Sequence, residues 1–185
     1  MGIVSVIFSY LVFFNVFLSY GMETSFFRFF NKEENKANVL STSTISLFWS
    51  TLGFLIIALL FRNTLAHTSG FAVEYITYSI WIIAFDALAI IPFAQLRAER
   101  KPMQYAAIKI GNVSLQILFS VFFLAFLPGL AKDNPEGFFS TIYYPEFQIG
   151  YIFIANLIAS LATILVLLPN YTKIPWHFDF SLWKQ

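Results

Sequence analysis

The chain has 185 residues, 58% of them hydrophobic and only 11% charged, whereas a soluble domain carries roughly 25% charged residues; this is the composition of an integral membrane protein. Eleven Lys plus Arg against ten Asp plus Glu leave it near neutral, which argues against nucleic-acid binding and against a polybasic membrane-surface role. With no cysteine and only two distant histidines, His67 and His177, disulfides and thiolate metal sites are excluded and the histidines alone make no zinc site.

The first apolar segment, IVSVIFSYLVFFNVFLSY, has no charge before Glu23 and is long enough to span a bilayer, predicting a helix over about 3–22. It lacks both the basic start and the small-residue cleavage site of a secretory signal. Asn15, Ser19 and Glu23 recur at four-residue spacing on one face, and Glu23 and Arg28 reach the membrane boundary together, where they can close a local pair. NKEENKANVL then reads as a solvated loop. In the second segment, about 43–61, Ser43, Ser46, Ser50 and Gly53 form a small-residue stripe suited to close helix packing, while Phe48, Leu52, Leu55 and Leu59 face lipid. RNTLAHTSGFAVE is a polar connection with His67 exposed.

The third and fourth segments, about 75–96 and 103–127, are joined by the basic turn LRAERKP and each carries an internal charge. Asp86 lies near the middle of its segment, where a charge is unfavourable by about 2.5 to 3.5 kcal/mol on insertion scales. Lys109, six residues past Met103, is about 9 Å into its helix at 1.5 Å per residue. Tyr75, Ser79 and Asp86 share one helical face, and Tyr105, Lys109, Asn112 and Gln116 share another. Lipid does not solvate such stripes, so both are predicted to face a common interior. Buried charges tend to pair, so an Asp86–Lys109 ion pair is one expectation and a ligand for Lys109 is the other. Pro92 is expected to kink or loosen the third helix.

The link from Leu127 to Gly150 is rich in Pro, Gly and aromatics, and its Tyr143 and Tyr144 suit a membrane interface. The fifth segment, about 148–168, carries Asn156, Ser160 and Thr163 on one polar face before Pro169, which is expected to stop it. Asn156 can equally serve as interhelical glue. The tail, residues 171–185, holds Trp176, Trp183 and alternating Phe and reads as an interfacial segment, with His177 exposed.

Five spans put the two ends of the chain on opposite sides. Arg28, Lys32, Lys36, Arg97, Arg100, Lys101, Lys173 and Lys184 fall on one side, against Arg62 and Lys132 on the other. The positive-inside rule then places the C-terminus in the cytoplasm and the N-terminus outside. So short a lead outside the first span predicts a further helix upstream.

The opening GIVSV, the exit GMETSFFRFF, the turn LRAERKP followed by a lysine-bearing helix, and the tail FDFSLWKQ resemble the bacterial polysaccharide exporters. These are the Wzx-like branch of the multidrug/oligosaccharidyl-lipid/polysaccharide flippase superfamily, and the resemblance covers nearly the whole chain. It implies an all-α integral membrane protein of the bacterial inner membrane. Residues 1–170 would form most of one lobe of a two-lobed flippase, matching its second to sixth helices, and residues 171–185 a cytoplasmic or interfacial tail leading to a second lobe outside this chain.

The implied activity is export of polysaccharide or O-antigen precursors, flipping undecaprenyl-pyrophosphate-linked oligosaccharide from the cytoplasmic to the periplasmic leaflet. The implied partners are that lipid-linked substrate, membrane lipids and the polysaccharide polymerase machinery, with no cofactor, metal, nucleic acid or enzymatic step. In this reading Arg28, Arg97 and Lys109 hold the pyrophosphate, because arginine grips phosphate oxygens bidentately. Asn112, Gln116, Asn156 and Tyr105 take sugar hydroxyls, and Asp86 and Glu23 are ion-coupling or structural charges. Arg100 and Lys101 read as topology determinants only. Three other readings compete: a related multidrug/cation antiporter using Asp86 as its ion site, a membrane enzyme of envelope synthesis, and a non-transporting subunit. The enzyme is disfavoured by the absence of a catalytic constellation in the sequence.

Overall fold

The structure, a computed structural model, describes residues 2–172, 174 and 176–183. It is 87% helical, and no strand occurs among the described residues. Five stretches are long and apolar enough to cross a membrane: Ser5–Lys32, Lys36–Leu60, Val73–Ala98, Pro102–Asp133 and Pro145–Thr172. The protein is an all-α, multi-pass membrane protein, as its apolar runs dictate, because in lipid a backbone must satisfy its own polar groups. The helices are α1 (Gly2–Ser19), α2 (Met22–Lys32), α3 (Lys36–Leu60), α4 (Arg62–Ser69), α5 (Val73–Ala98), α6 (Pro102–Val121), α7 (Leu127–Asp133), α8 (Phe138–Ile142), α9 (Gln148–Thr172) and α10 (Phe180–Trp183).

The first span is two helices meeting at Tyr20 and Gly21, whose φ angles are +33° and +73°. The left-handed backbone at Gly21 costs a residue with a Cβ about 1–2 kcal/mol. Beyond this bend α2 buries Phe26 and Phe30 against Val39, Leu40, Ile91 and Ala94. The Asn35 side chain accepts a hydrogen bond from the Asn38 N–H at 3.2 Å, so α3 starts at Lys36 rather than near Ser43. A cap of this kind satisfies an N–H that a helix start otherwise leaves unpaired, and the expected solvated loop shrinks to residues 33–35. The polar connection after α3 is likewise helical, forming α4 and ending at Gly70 in the left-handed region.

Helix α5 is the centre of the bundle, with 56% of its apolar window buried against 6% for the fourth span. Tyr75 stacks on Phe153, Asp86 meets Ser160 and Leu88 meets Tyr171, so α5 and α9 run parallel. Asn112 meets Thr163 and Phe123 stacks on Tyr151, so α6 runs antiparallel to both. The packing of the α2–α3 junction beside Ile91 and Ala94 brings Arg28, Lys32 and Lys36 to the same end of the bundle as Arg97, Arg100 and Lys101. Lys173 and Lys184 lie outside the described residues.

The small-residue interface is not the stripe expected on α3. Beside Gly53 there is open space, and Ser46 is only half-buried, its hydroxyl meeting Tyr20 Oη at 3.0 Å and accepting from Trp183 Nε1 at 3.3 Å. Ser43 is buried, as are all residues from Val39 to Thr44, but beyond that first stretch the buried face of α3 is Leu47, Thr51 and Ala58, one residue round the helix from Ser46 and Ser50. A step of one residue turns the face by about 100°, and Leu47 gains from burial what a serine does not. Its outward face carries Phe48, Trp49, Ile56 and Leu60. Close approach is supplied by alanines instead: Ala84, Ala87 and Ala94 on α5 and Ala155 and Ala159 on α9 are each 0–1% exposed.

Prolines do not end these helices. The fourth span passes through a π turn at Phe122–Phe126 immediately before Pro128, and continues as α7 to Asp133 rather than ending at Leu127. Widening the helix there makes room for the ring of Pro128, which would clash with the carbonyl of residue 124 in a regular turn. Pro169 lies inside α9, which runs on to Thr172 instead of stopping at Leu168. Pro92 lies inside an unbroken α5. Having no N–H, it leaves the carbonyl of Leu88 without its helical donor, and the Tyr171 hydroxyl from α9 donates to that carbonyl. Tyr171→Phe should therefore destabilise the protein by about 0.6–1.7 kcal/mol, the range for interhelical hydrogen bonds in membranes. Pro92→Ala, which restores the N–H, should remove most of that cost. Detergent unfolding of both single variants and the double variant measures it; equal costs in both backgrounds would show that the hydroxyl does not serve Leu88.

Part of the tail packs on the bundle, while Trp176, Phe180 and Trp183 stay exposed. Ile174 is buried with Phe26, Leu40 and Ile91, and the Asp179 N–H donates to Thr42 Oγ1 at 3.1 Å.

Candidate functional site

Three helices turn their polar faces toward one another and form a cavity of about 210 Å³. From α5 come Asp86, Ala89, Ile90, Phe93 and Arg97; from α6 Tyr105, Lys109 and Asn112; from α9 Asn156, Ser160 and Thr163. Each set repeats at three- and four-residue intervals, which places it on one side of its helix. Asn15 of α1 and Glu23 of α2 complete the lining, Glu23 being delivered by the bend at Gly21. From Asp86 to Arg97 the cavity extends along α5 by about 16 Å, at 1.5 Å per residue.

The deep part is a hydrogen-bonded polar cluster. Ser160 Oγ donates to Asp86 Oδ1 at 2.8 Å. Asn112 Nδ2 donates to Thr163 Oγ1 at 2.9 Å, and that hydroxyl donates in turn to the Ala159 carbonyl at 2.9 Å. Lys109 reaches into the same space with its Nζ 4.5 Å from the centre of the Phe93 ring. A cation over an aromatic face gains about 0.5–1 kcal/mol at exposed sites, and this ring is the group it touches, with Asp86 close enough to attract it without a direct contact. Among the described residues Asp86 and Lys109 form no ion pair; the carboxylate has Ser160 instead.

At the other end the Arg97 guanidinium pairs with Glu23. It also lies 5.3 Å from the Phe27 ring and 5.2 Å from the Tyr105 ring, while Tyr105 meets Phe93 edge-on at 5.4 Å. The pair is partly open, with the two side chains 37% and 43% exposed. The expected local pair of Glu23 with Arg28 does not form. Five residues along a helix turn the side chain by about 140°, which carries Arg28 to the exposed side of α2, where it lies 5.8 Å from the Phe29 ring.

Of the predicted site residues, the cavity therefore gathers Lys109, Arg97, Asn112, Tyr105, Asn156, Asp86 and Glu23, and leaves out Arg28 and Gln116. Gln116 shares the face of Asn112 but stands a turn further on. The antiparallel pairing puts it about level with Ala159, a turn away from Thr163, the residue that Asn112 meets. Tyr75 and Ser79 also fall outside: Tyr75 stacks on Phe153 at 5.7 Å, and Ser79 borders a second cavity of about 620 Å³ with apolar walls including Ile7, Leu11, Phe54 and Ile80. They share a face with Asp86, but in the half of the bundle where α1 and α9 present Ile7, Leu11 and Phe153. The aromatic platforms, Phe93 and Phe27, are two of 24 phenylalanines and carry no polar group to mark them in the sequence. Their signal is spacing, since Phe93 is four residues before Arg97 and Phe27 four after Glu23.

Chemically the site offers two cations, two carboxylates, amides, hydroxyls and aromatic faces. No group of three or more His, Cys, Asp or Glu is gathered among the described residues. Comparison with protein-family models, with curated proteins and with solved structures finds no match to this chain.

Proposed function

We propose that this chain forms a substrate cavity of a membrane exporter for polysaccharide precursors, a flippase that moves undecaprenyl-pyrophosphate-linked oligosaccharide between leaflets. The observation that carries the reading is a polar cavity set among five membrane-length helices, with Arg97 and Lys109 in its lining and amide and hydroxyl groups between them. A pyrophosphate-linked sugar needs cations for the phosphates and hydrogen-bonding groups for the sugar, while its isoprenoid tail stays in lipid. Arginine suits the first task because its planar fork matches phosphate oxygens. The cavity's Arg97 end carries Lys32, Lys36, Arg100 and Lys101 nearby, so the positive-inside rule makes that end cytoplasmic, the leaflet from which such a substrate is loaded.

A second reading, a multidrug/cation antiporter, draws on Asp86, a carboxylate held by Ser160 at the deep end of the cavity. Binding distinguishes the two. With the full chain in lipid nanodiscs, geranylgeranyl pyrophosphate should bind and geranylgeraniol should not, and Arg97→Gln should weaken binding at least tenfold. Binding of tetraphenylphosphonium without binding of the pyrophosphate would favour the antiporter and sink the flippase reading. In inner-membrane vesicles, a cysteine replacing Arg100 should react with impermeant thiol reagents from the cytoplasmic face only; reaction from the periplasm would reverse the orientation.

A further inference from the structure

The lining contains four formal charges, Glu23 and Asp86 against Arg97 and Lys109, so they sum to zero. The lining by itself therefore offers an acidic headgroup no net formal charge, although both cations are in place. The charge nearest the open end is also the one already satisfied: Arg97 holds the Glu23 carboxylate and has the Phe27 and Tyr105 rings close by. The Glu23 carboxylate takes one guanidinium N–H donor, and carboxylate and phosphate oxygens compete for the same donors of an arginine.

The other carboxylate is differently placed. Asp86 lies about 16 Å further along α5 and accepts from Ser160, so it does not occupy Arg97. Glu23 reaches Arg97 from a separate helix across 74 positions of sequence, and it stands just past the Tyr20–Gly21 bend, where no atom lies within 4 Å of the position a Gly21 Cβ would take. The 43% exposure of its side chain leaves it within reach of an incoming ligand.

We propose that Glu23 is a built-in competitor for the anion seat on Arg97, so that an acidic phosphate-bearing headgroup enters the cavity by exchanging with this carboxylate. Displacing Glu23 changes the formal charge of the lining from zero to plus one. The empty cavity then keeps Arg97 neutralised, and stray anions are disfavoured unless they bind strongly enough to take the carboxylate's place. The proposal rests on reading the cavity as a site for an acidic headgroup.

The test is binding of geranylgeranyl pyrophosphate and, separately, inorganic pyrophosphate to the full chain in nanodiscs. Glu23→Gln should tighten binding of the lipid about tenfold, and Glu23→Asp, whose shorter side chain loosens the pair, should tighten it by a smaller factor. In an Arg97→Gln background, Glu23→Gln should change affinity less than twofold. Tightening for inorganic pyrophosphate as well would assign the seat to the phosphates alone; tightening for the lipid only would assign it to a membrane-borne headgroup. If Arg97→Gln weakens binding but neither Glu23 variant tightens it, the competitor role is wrong and the headgroup site stands. If no variant and no unaltered protein binds either probe, the headgroup reading itself falls, and the competitor role with it.

Discussion

Lys109→Gln is expected to lower affinity for geranylgeranyl pyrophosphate at least tenfold, about 1.4 kcal/mol, while protein abundance stays near that of the unaltered chain. The two halves of this expectation have separate causes. Lys109 supplies one of two cations in the lining and makes no direct ion-pair contact among the described residues, although Asp86 attracts it across the cavity. Asp86 has Ser160 as its partner, so removing the lysine does not strand a bare carboxylate. Lys109→Arg keeps the charge and should retain part of the affinity, since the fork of an arginine does not reproduce the point charge of an ammonium. If Lys109 instead serves to neutralise Asp86, the single variant should lose abundance, and Asp86→Asn combined with Lys109→Gln should restore both abundance and binding. A fully active double variant would sink the ligand assignment.

Ala155→Leu should cut steady-state protein several-fold. Helices α5 and α9 meet more extensively than any other pair, and Ala155 and Ala159 are both 0% exposed. Without a hydrophobic drive between helices in lipid, small side chains that allow close approach carry the association. Forcing extra methylenes into such a contact costs about 1–3 kcal/mol, and losses of that size change abundance several-fold in cells. Leu165→Ala, at a position 56% exposed on the outside of α9, is the control and should leave abundance unchanged. Equal abundance of the two variants would show that the α5–α9 contact has room to spare, and the three polar faces would then owe their alignment to something other than alanine packing.

The amino-acid sequence by itself determined the number and chemistry of the spans. Length, apolar runs and charge scarcity specify five spans, and period-3.6 spacing alone groups Tyr105, Lys109 and Asn112 on α6 and Asn156, Ser160 and Thr163 on α9. Those groupings survive in the structure because a helix's own geometry fixes which of its side chains share a side.

What the sequence left open is everything that depends on which side meets which neighbour. Nothing local joins Glu23 to Arg97 or Tyr171 to the carbonyl beneath Pro92; both contacts exist because α5 is buried at the centre with α2 and α9 against it. The same packing rotates the buried face of α3 one residue away from its serine stripe and excludes Tyr75, Ser79 and Gln116 from a cavity whose stripes they share. It also decides the helix ends, since Pro92 and Pro169 are tolerated inside membrane helices where neighbouring side chains and local adjustment serve the freed backbone groups. Periodicity is a property of one helix, whereas an ion pair, a cavity and a tolerated proline each require two.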